Sequence, residues 1–194
     1  MKLSTIDISL RDLELNDLPQ IEHWLHPDHI WHNFNAPYYP KTPVEKIPDR
    51  IAIFEKHINA NQWGTPRMRL AIANGDDKII GTVTRYWISE ASDWAAIGIA
   101  IWNPDEWGKG YGYQALGLWC DYLFDVEPKF IRLDARTWSG NTGMMRLAEK
   151  LGFTKEAVFR KARMVNDTYY DGIGYGILRE EWQDIYPNGF GHDK

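Results

Sequence analysis

The sequence predicts one α/β domain built on a mixed sheet. Three observations lead there. The chain has 194 residues, which suits one domain of ordinary size. Its apolar positions change period in the order meander, strand–helix–strand–helix, hairpin. A nearly continuous apolar strand, Trp94–Trp102, runs into a glycine-rich turn and then a helix. Such a strand is expected where both faces are covered.

The elements follow in order. Ile6–Leu10 reads as a first strand. Asn16 can cap a helix that runs to Leu25, with Leu18, Ile21, Trp24 and Leu25 on one face. His26–Pro43 is rich in His, Asn, Pro and aromatic residues and reads as an irregular connection. Val44, Ile47, Ile51, Phe54 and Ile58 recur at helical spacing, and Pro48 predicts a break or kink among them. Met68–Ala73 and Lys78–Trp87 are two strands around the turn residues Asn74-Gly75-Asp76-Asp77. Gly110–Phe124 places Ala115, Leu116, Trp119, Tyr122 and Leu123 on one side of a helix. Phe130–Thr137 alternates as a strand, and Asn141–Leu151 is a helix closed by Gly152. Thr154–Val165 and Tyr169–Leu178 form a final pair around Asn166-Asp167. The domain is expected to span residues 1–186, with 187–194 a loose tail.

Composition removes several classes. Hydrophobic residues at 44% and charged residues at 25% argue against disorder. A single cysteine, Cys120, leaves no disulfide framework and no Cys-clustered zinc site. A reducing compartment, most simply the cytoplasm, is expected. No stretch has the roughly 20 apolar residues of a membrane helix, and the start of the chain lacks the apolar core of a signal peptide. A net charge of −5 does not suggest a nucleic-acid binder. Ten Trp and ten Tyr suit either a large core or a ligand pocket.

The informative unit is Trp107-Gly108-Lys109-Gly110-Tyr111-Gly112-Tyr113, three alternating glycines at the start of a helix. Glycine permits positive φ and close backbone approach. Amides at a helix start point together and attract anions. An anion cradle, helped by Lys109, and a tight turn without a ligand both fit this pattern. Two standard phosphate sites do not. Tyr111 follows Gly110 where a P-loop needs Lys-Ser/Thr. Tyr113 stands where a dinucleotide fingerprint needs its third glycine.

The same residues resemble the pyrophosphate loop of the GCN5-related N-acetyltransferases (GNAT), Gln/Arg-x-x-Gly-x-Gly/Ala. Trp107 departs at the first position, as in the branch of ribosomal-protein-alanine and spermidine acetyltransferases, which often reads Trp-Gly-Lys-Gly-Tyr. A second stretch, Asn141-Thr142-Gly143-Met144 through Glu149-Lys150-Leu151-Gly152-Phe153, resembles that family's Asn-x-x-Ser…Glu-Lys-x-Gly-Phe helix. The ending, Tyr169-Tyr170-Asp171 through Glu181-Trp182, is similar to the same branch. The likeness runs from Ile6 to Trp182.

The resemblance implies a mixed, mostly antiparallel sheet with flanking helices. It implies transfer of an acetyl group from acetyl-CoA to a primary amine by direct attack in a ternary complex. The acceptor is a protein N-terminus or a small-molecule amine. It places the pyrophosphate on the amides of Trp107, Gly108, Lys109, Gly110, Tyr111, Gly112 and Tyr113. It places the pantetheine arm on the backbone of Ala100, Ile101 and Trp102, with Asn141 hydrogen-bonding it across the cleft. Trp31, Phe34 and Tyr38, with Tyr39, are implied walls of the acceptor pocket. The usual catalytic Tyr and Ser positions hold Ala148 and Met144, so the general acid and base are unassigned. Ser139, Tyr111 and Glu106 are nearby polar candidates. The competing expectation is a non-catalytic acyl-CoA-binding module. A third, an aromatic-rich carbohydrate-binding domain, predicts no CoA binding.

His23, His26, His29 and His32 recur every three residues, but Pro27 interrupts the helix that would align them, so no metal is expected. Cys120 is expected to be a small buried residue. No nucleic-acid or membrane partner is expected, and the state is monomer or homodimer.

Overall fold

The computed structural model describes residues 1–61 and 63–191. Its sheet has eight strands in the order β1-β2-β3-β4-β5-β6-β8-β7. The first expected strand is a hairpin of two: β1 (Lys2–Ser4) and β2 (Ile8–Arg11). The Thr5 amide donates to the Ile8 carbonyl and turns the chain there, leaving Ile6 95% exposed.

Helix α1 (Leu18–Leu25) starts after Asn16 rather than at it. Leu15–Asp17 is a 3₁₀ turn, and Asp17 accepts from the Glu14 amide at 2.8 Å. Asp17 also takes both guanidinium ends of Arg11, at 2.8 and 2.9 Å, in a buried pair. Helix α2 (Ile47–Ala60) contains Pro48 in its first turn, so the proline starts the helix instead of kinking it. The missing N–H has no intrahelical partner at that position in any case.

Strands β3 (Arg69–Asn74) and β4 (Ile79–Ser89) flank the expected turn, where Asn74 Oδ1 accepts from the amides of Asp76 and Lys78. Then come β5 (Trp94–Ile101), α3 (Tyr111–Val126), β6 (Arg132–Trp138) and α4 (Thr142–Lys150). The final hairpin is β7 (Thr154–Val165) and β8 (Thr168–Leu178), turning through Asn166 and Asp167 at φ 48° and 59°. A last helix, α5 (Arg179–Ile185), is an element that sequence spacing did not reveal. Glu181 caps it by accepting from the Leu178 amide, and Trp182 is buried.

The expected loose tail is corrected at Phe190. Its ring is 5% exposed and packs on Gly117 of α3, where a Cβ would lie 2.3 Å from it. Only a glycine lets the ring seat there. Residues 192–194 lie outside the described part.

Each sheet face has its own core. Leu70, Ile72, Val83, Ile97 and Leu133 face Leu116, Trp119 and Leu123 of α3. Ala71, Ile79 and Trp102 lie on the other face with Ile21 of α1 and Trp31, and Ile51, Phe54 and Ile58 of α2 pack against them. Cys120 is fully buried, and burial pushes its thiol well above its usual range. Among the described residues no helix is long and apolar enough to cross a membrane.

All neighbours pair antiparallel except β5 and β6. That parallel ladder covers only Ala95–Ile97 against Leu133–Ala135. Pairing of β5 with β4 continues to Ile101. The sheet therefore parts after Ile97, and the β6-facing edge of Gly98–Ile101 has no strand beside it.

Candidate active site

The parting of β5 and β6 opens a cleft of about 400 Å³. Ile99, Ala100, Ile101, Trp107, Gly112, Asn141 and Met144 line it, and Trp31 and Phe34 close one end. The expected loop, the second motif and two of the expected wall residues thus meet at one place. Residues from both sheet faces reach it because the sheet is split there.

Strand alternation sorts the expected backbone groups. The Trp102 amide donates to the Ile80 carbonyl at 3.0 Å. In an antiparallel ladder the outward-facing groups alternate. Ala100 and Trp102 therefore turn their backbone groups to β4, while Ile99 and Ile101 turn theirs to the gap. Ile99 is the residue that sequence reading missed, because register, not residue type, selects it. The Ile101 carbonyl already accepts from the Trp107 indole at 2.8 Å. Trp107 is thereby pinned across the mouth, with Phe34 edge-on to its ring at 5.4 Å.

The glycine loop has the geometry of a cradle. Gly108 and Gly110 sit at φ 76° and 85°, a region that costs other residues roughly 1–2 kcal/mol. Gly110 is the residue from which α3 begins. A Cβ on Gly108 would meet nothing within 4 Å, and one on Gly110 only Gln114 Nε2 at 4.0 Å, so both stand open. The amides of Trp107 and Tyr113 bond to the carbonyls of Pro104 and Gly110. The amides of Gly108–Gly112 lie between them, at the positive end of α3. Lys109 is drawn to Glu106 at 2.8 Å, which keeps Glu106 in an ion pair. Tyr113 turns away and packs on Phe190 and under Lys150. Tyr111 packs against the α3-side core, with Lys109 over its ring.

Asn141 is engaged within the protein. Its Oδ1 accepts from the Met144 amide at 3.0 Å and caps α4. Its Nδ2 donates to the Phe34 carbonyl at 3.1 Å, which also accepts from the Trp138 indole at 3.3 Å. Asn141 therefore ties the 26–43 connection across the cleft. We expect Asn141→Ala to lower the unfolding free energy by about 1 kcal/mol through the lost cap, read as a lower thermal midpoint. It should also raise KM for the acceptor more than it lowers kcat, which steady-state kinetics will read.

Ala148 is fully buried on the core side of α4, so no hydroxyl stands at that position. Ser139 Oγ accepts from the Asp171 amide at 3.0 Å. The histidines serve the fold. His29 Nε2 bonds to the His23 carbonyl at 2.8 Å and His32 Nε2 to the His26 carbonyl at 3.0 Å. Burial pushes the His32 imidazole below its usual 6.5. Among the described residues no three His, Cys, Asp or Glu side chains gather as a metal site.

Tyr38 lies in a second cavity, of about 570 Å³, on the α1/α2 face. Trp31, Phe34, Ile99, Ala100 and Met144 line both cavities, so the two communicate through the split sheet.

Comparison with known proteins places this geometry. Residues 7–154 match the family model of the acetyltransferase (GNAT) domain. An uncharacterized N-acetyltransferase from a Bacillus subtilis prophage, YokL, is 29% identical over 156 residues, covering 80% of this chain and 82% of that protein. The probable N-acetyltransferase YjcK of the same organism is 38% identical over 107 residues, covering 55% of this chain and 58% of that one. Among solved structures, a spermidine N-acetyltransferase from Vibrio cholerae, in complex with CoA and spermine, superposes with a TM-score of 0.73. It is 22% identical and covers 90% of this chain and 97% of that one. A GNAT-family acetyltransferase from Bacillus anthracis gives a TM-score of 0.72 at 20% identity, covering 93% and 99%. With most of its length matched by that domain, the chain belongs to the GNAT family and is an N-acetyltransferase that takes its acetyl group from acetyl-CoA and gives it to an amine.

Proposed function

We propose that the β5/β6 cleft holds the thioester of acetyl-CoA and that the α1/α2-face cavity presents a primary amine to it. The observation that carries this is the parting of β5 from β6 after Ile97, directly beside the start of α3. The amides of Gly108–Gly112 would hold the pyrophosphate, since anions gather at such a helix start. The free edge at Ile99 and Ile101 pairs with the amide groups of the pantetheine arm as an added strand would. An amide on that edge also faces the thioester oxygen, where negative charge develops during attack.

The reaction balances without a covalent enzyme intermediate. The amine nitrogen bonds to the acetyl carbon and the carbon–sulfur bond breaks. The amine's proton leaves to solvent, and the thiolate takes one back. A CoA thiolate is a competent leaving group, so a buried alanine at position 148 does not stop the chemistry. The acceptor is a protein N-terminus or a small-molecule amine. A single buried thiol accords with a cytoplasmic setting.

Initial-velocity kinetics with an amine panel tests this. Intersecting double-reciprocal lines, with no acetylated protein by intact mass, are the expected result. Parallel lines with an acetyl-enzyme adduct, or CoA binding without transfer to any amine, would refute it.

A further inference from the structure

The cavity on the α1/α2 face carries a sign that the chain's net charge of −5 does not announce. Arg50, Arg69, Arg136 and Arg163 line it, and among the described residues no Asp or Glu does. Sheet register puts two of them in one row. Arg69 pairs with Thr84, and Thr84 with Gly98. Arg136 follows Ala135, which lies beside Ile97. Arg69 and Arg136 thus stand on the same face three strand spacings apart, about 14 Å. Between them lie a threonine and Gly98, which has no side chain. Gly98 is also where the sheet begins to part.

Among the described residues no carboxylate comes closer than 3.9 Å to any of these cations. Arg69 Nε is buried without a hydrogen bond, and its guanidinium lies over the Phe54 ring at 5.1 Å. Arg163 Nε is also buried without a hydrogen bond, while its Nη1 donates to the Ala162 carbonyl at 3.2 Å and its guanidinium lies over Tyr38 at 4.5 Å. Among the described residues Arg50, Arg69 and Arg163 form no ion pair. Arg136 meets Asp134 only at 3.9 Å, and Asp134 is already held by Arg132 at 2.7 Å. Burial, and then the neighbouring Arg50, work against the Arg69 charge and lower its pKa. Arg50 and Arg136 are exposed, whereas Arg69 is partly withdrawn from water, and such a cation without a counter-ion is costly unless something supplies the opposite charge.

We propose that the acceptor is an amine bearing an oxyanion, a carboxylate foremost, held between Arg69 and Arg136 while its amine points into the split sheet. This rests on the reading of the cleft as the acetyl-CoA site. The aromatic walls, among them Trp31, Tyr38 and Trp138, suit an apolar or aromatic skeleton between the two groups. A polyamine would meet four like charges there, and such juxtaposition is strongly unfavourable.

The test uses product analogues on the CoA-saturated protein, so that binding is read without catalysis. N-acetylphenylalanine, its methyl ester and N-acetylspermidine are titrated calorimetrically. The free acid should bind at least about tenfold tighter than the ester, a difference of roughly 1.4 kcal/mol. That preference should vanish in Arg136→Gln and in Arg69→Gln and return in part in Arg136→Lys. CoA affinity should stay unchanged in all three. Arg136 is half exposed, so its variants keep the test intact if Arg69→Gln does not fold. Equal or tighter binding of the ester or of acetylspermidine overturns the proposal. So do retention of the preference in Arg136→Gln and failure of all three ligands to bind a CoA-loaded protein. Failure of the wild type to bind CoA instead removes the reading of the cleft itself.

Discussion

Gly110→Trp should abolish acetyl-CoA binding, weakening it by at least about 100-fold, or roughly 2.8 kcal/mol. Gly110 opens α3 at φ 85°, and the space beside its Cα is empty except for Gln114 Nε2 at 4.0 Å. An indole there would occupy the place where the amides of Gly108–Gly112 converge. Two effects are combined in that variant, backbone strain and blockage. Gly110→Ala separates them, because it adds the strain, about 1–2 kcal/mol, and only one carbon. Calorimetric titration should show the alanine variant less stable but still able to bind. The tryptophan variant should remain folded by circular dichroism and not bind. Wild-type affinity in the tryptophan variant would disprove the cradle.

Asp17→Ala should be the most destabilising single change near the α1 start, by about 3–5 kcal/mol. The Arg11 and Asp17 side chains are only 7% and 4% exposed, and they meet through two parallel hydrogen bonds. Removing the carboxylate leaves a buried guanidinium with Asp77, which is 54% exposed and at 3.2 Å. It also removes the acceptor of the Glu14 amide. For a domain of this size the thermal midpoint should fall by roughly 10 °C. Replacing both partners, Arg11→Met with Asp17→Ala, should recover much of the loss, since no unpaired charge then stays buried. Calorimetric melts of the wild type and the two variants decide this. A double variant less stable than the single one would show that Arg11 still stabilises the fold through Asp77 and would overturn the expectation.

Much of the fold was legible because hydrophobic period is a local property. The strands around Asn74–Lys78 and the hairpin at Asn166-Asp167 were readable from turn chemistry. The helices starting at Gly110 and Asn141 were readable from cap residues. The misses have local causes too. Pro48 carries the same breaking signal whether it lies inside a helix or in its first turn. Three-residue β1 is too short to show a period. Helix α5 is a short run, and its cap is the Glu181 side chain folding back on the Leu178 amide, which no periodic pattern announces. Phe190 has no neighbouring pattern at all, and its burial follows from a glycine 73 positions earlier.

The division within the site is sharper. The order of residues settled that Gly108, Gly110 and Gly112 open a helix after a buried strand, since positive φ and a helix start are properties of neighbouring residues. It also settled the family, through two motifs at fixed spacing. Distance in sequence hid the rest. Which residues of β5 face the gap depends on register with β4 and on where β6 leaves, so Ile99 had no signal of its own. The role of Asn141 depends on Phe34, 107 positions away. The four arginines come from α2, β3, β6 and β7, and each alone looks like an ordinary surface residue. Their charge becomes a property of one cavity only when the sheet brings them together and leaves Gly98 between two of them. Electrostatics acts through space and not along the chain, and the low dielectric that gives those charges their weight exists only once the pocket has folded.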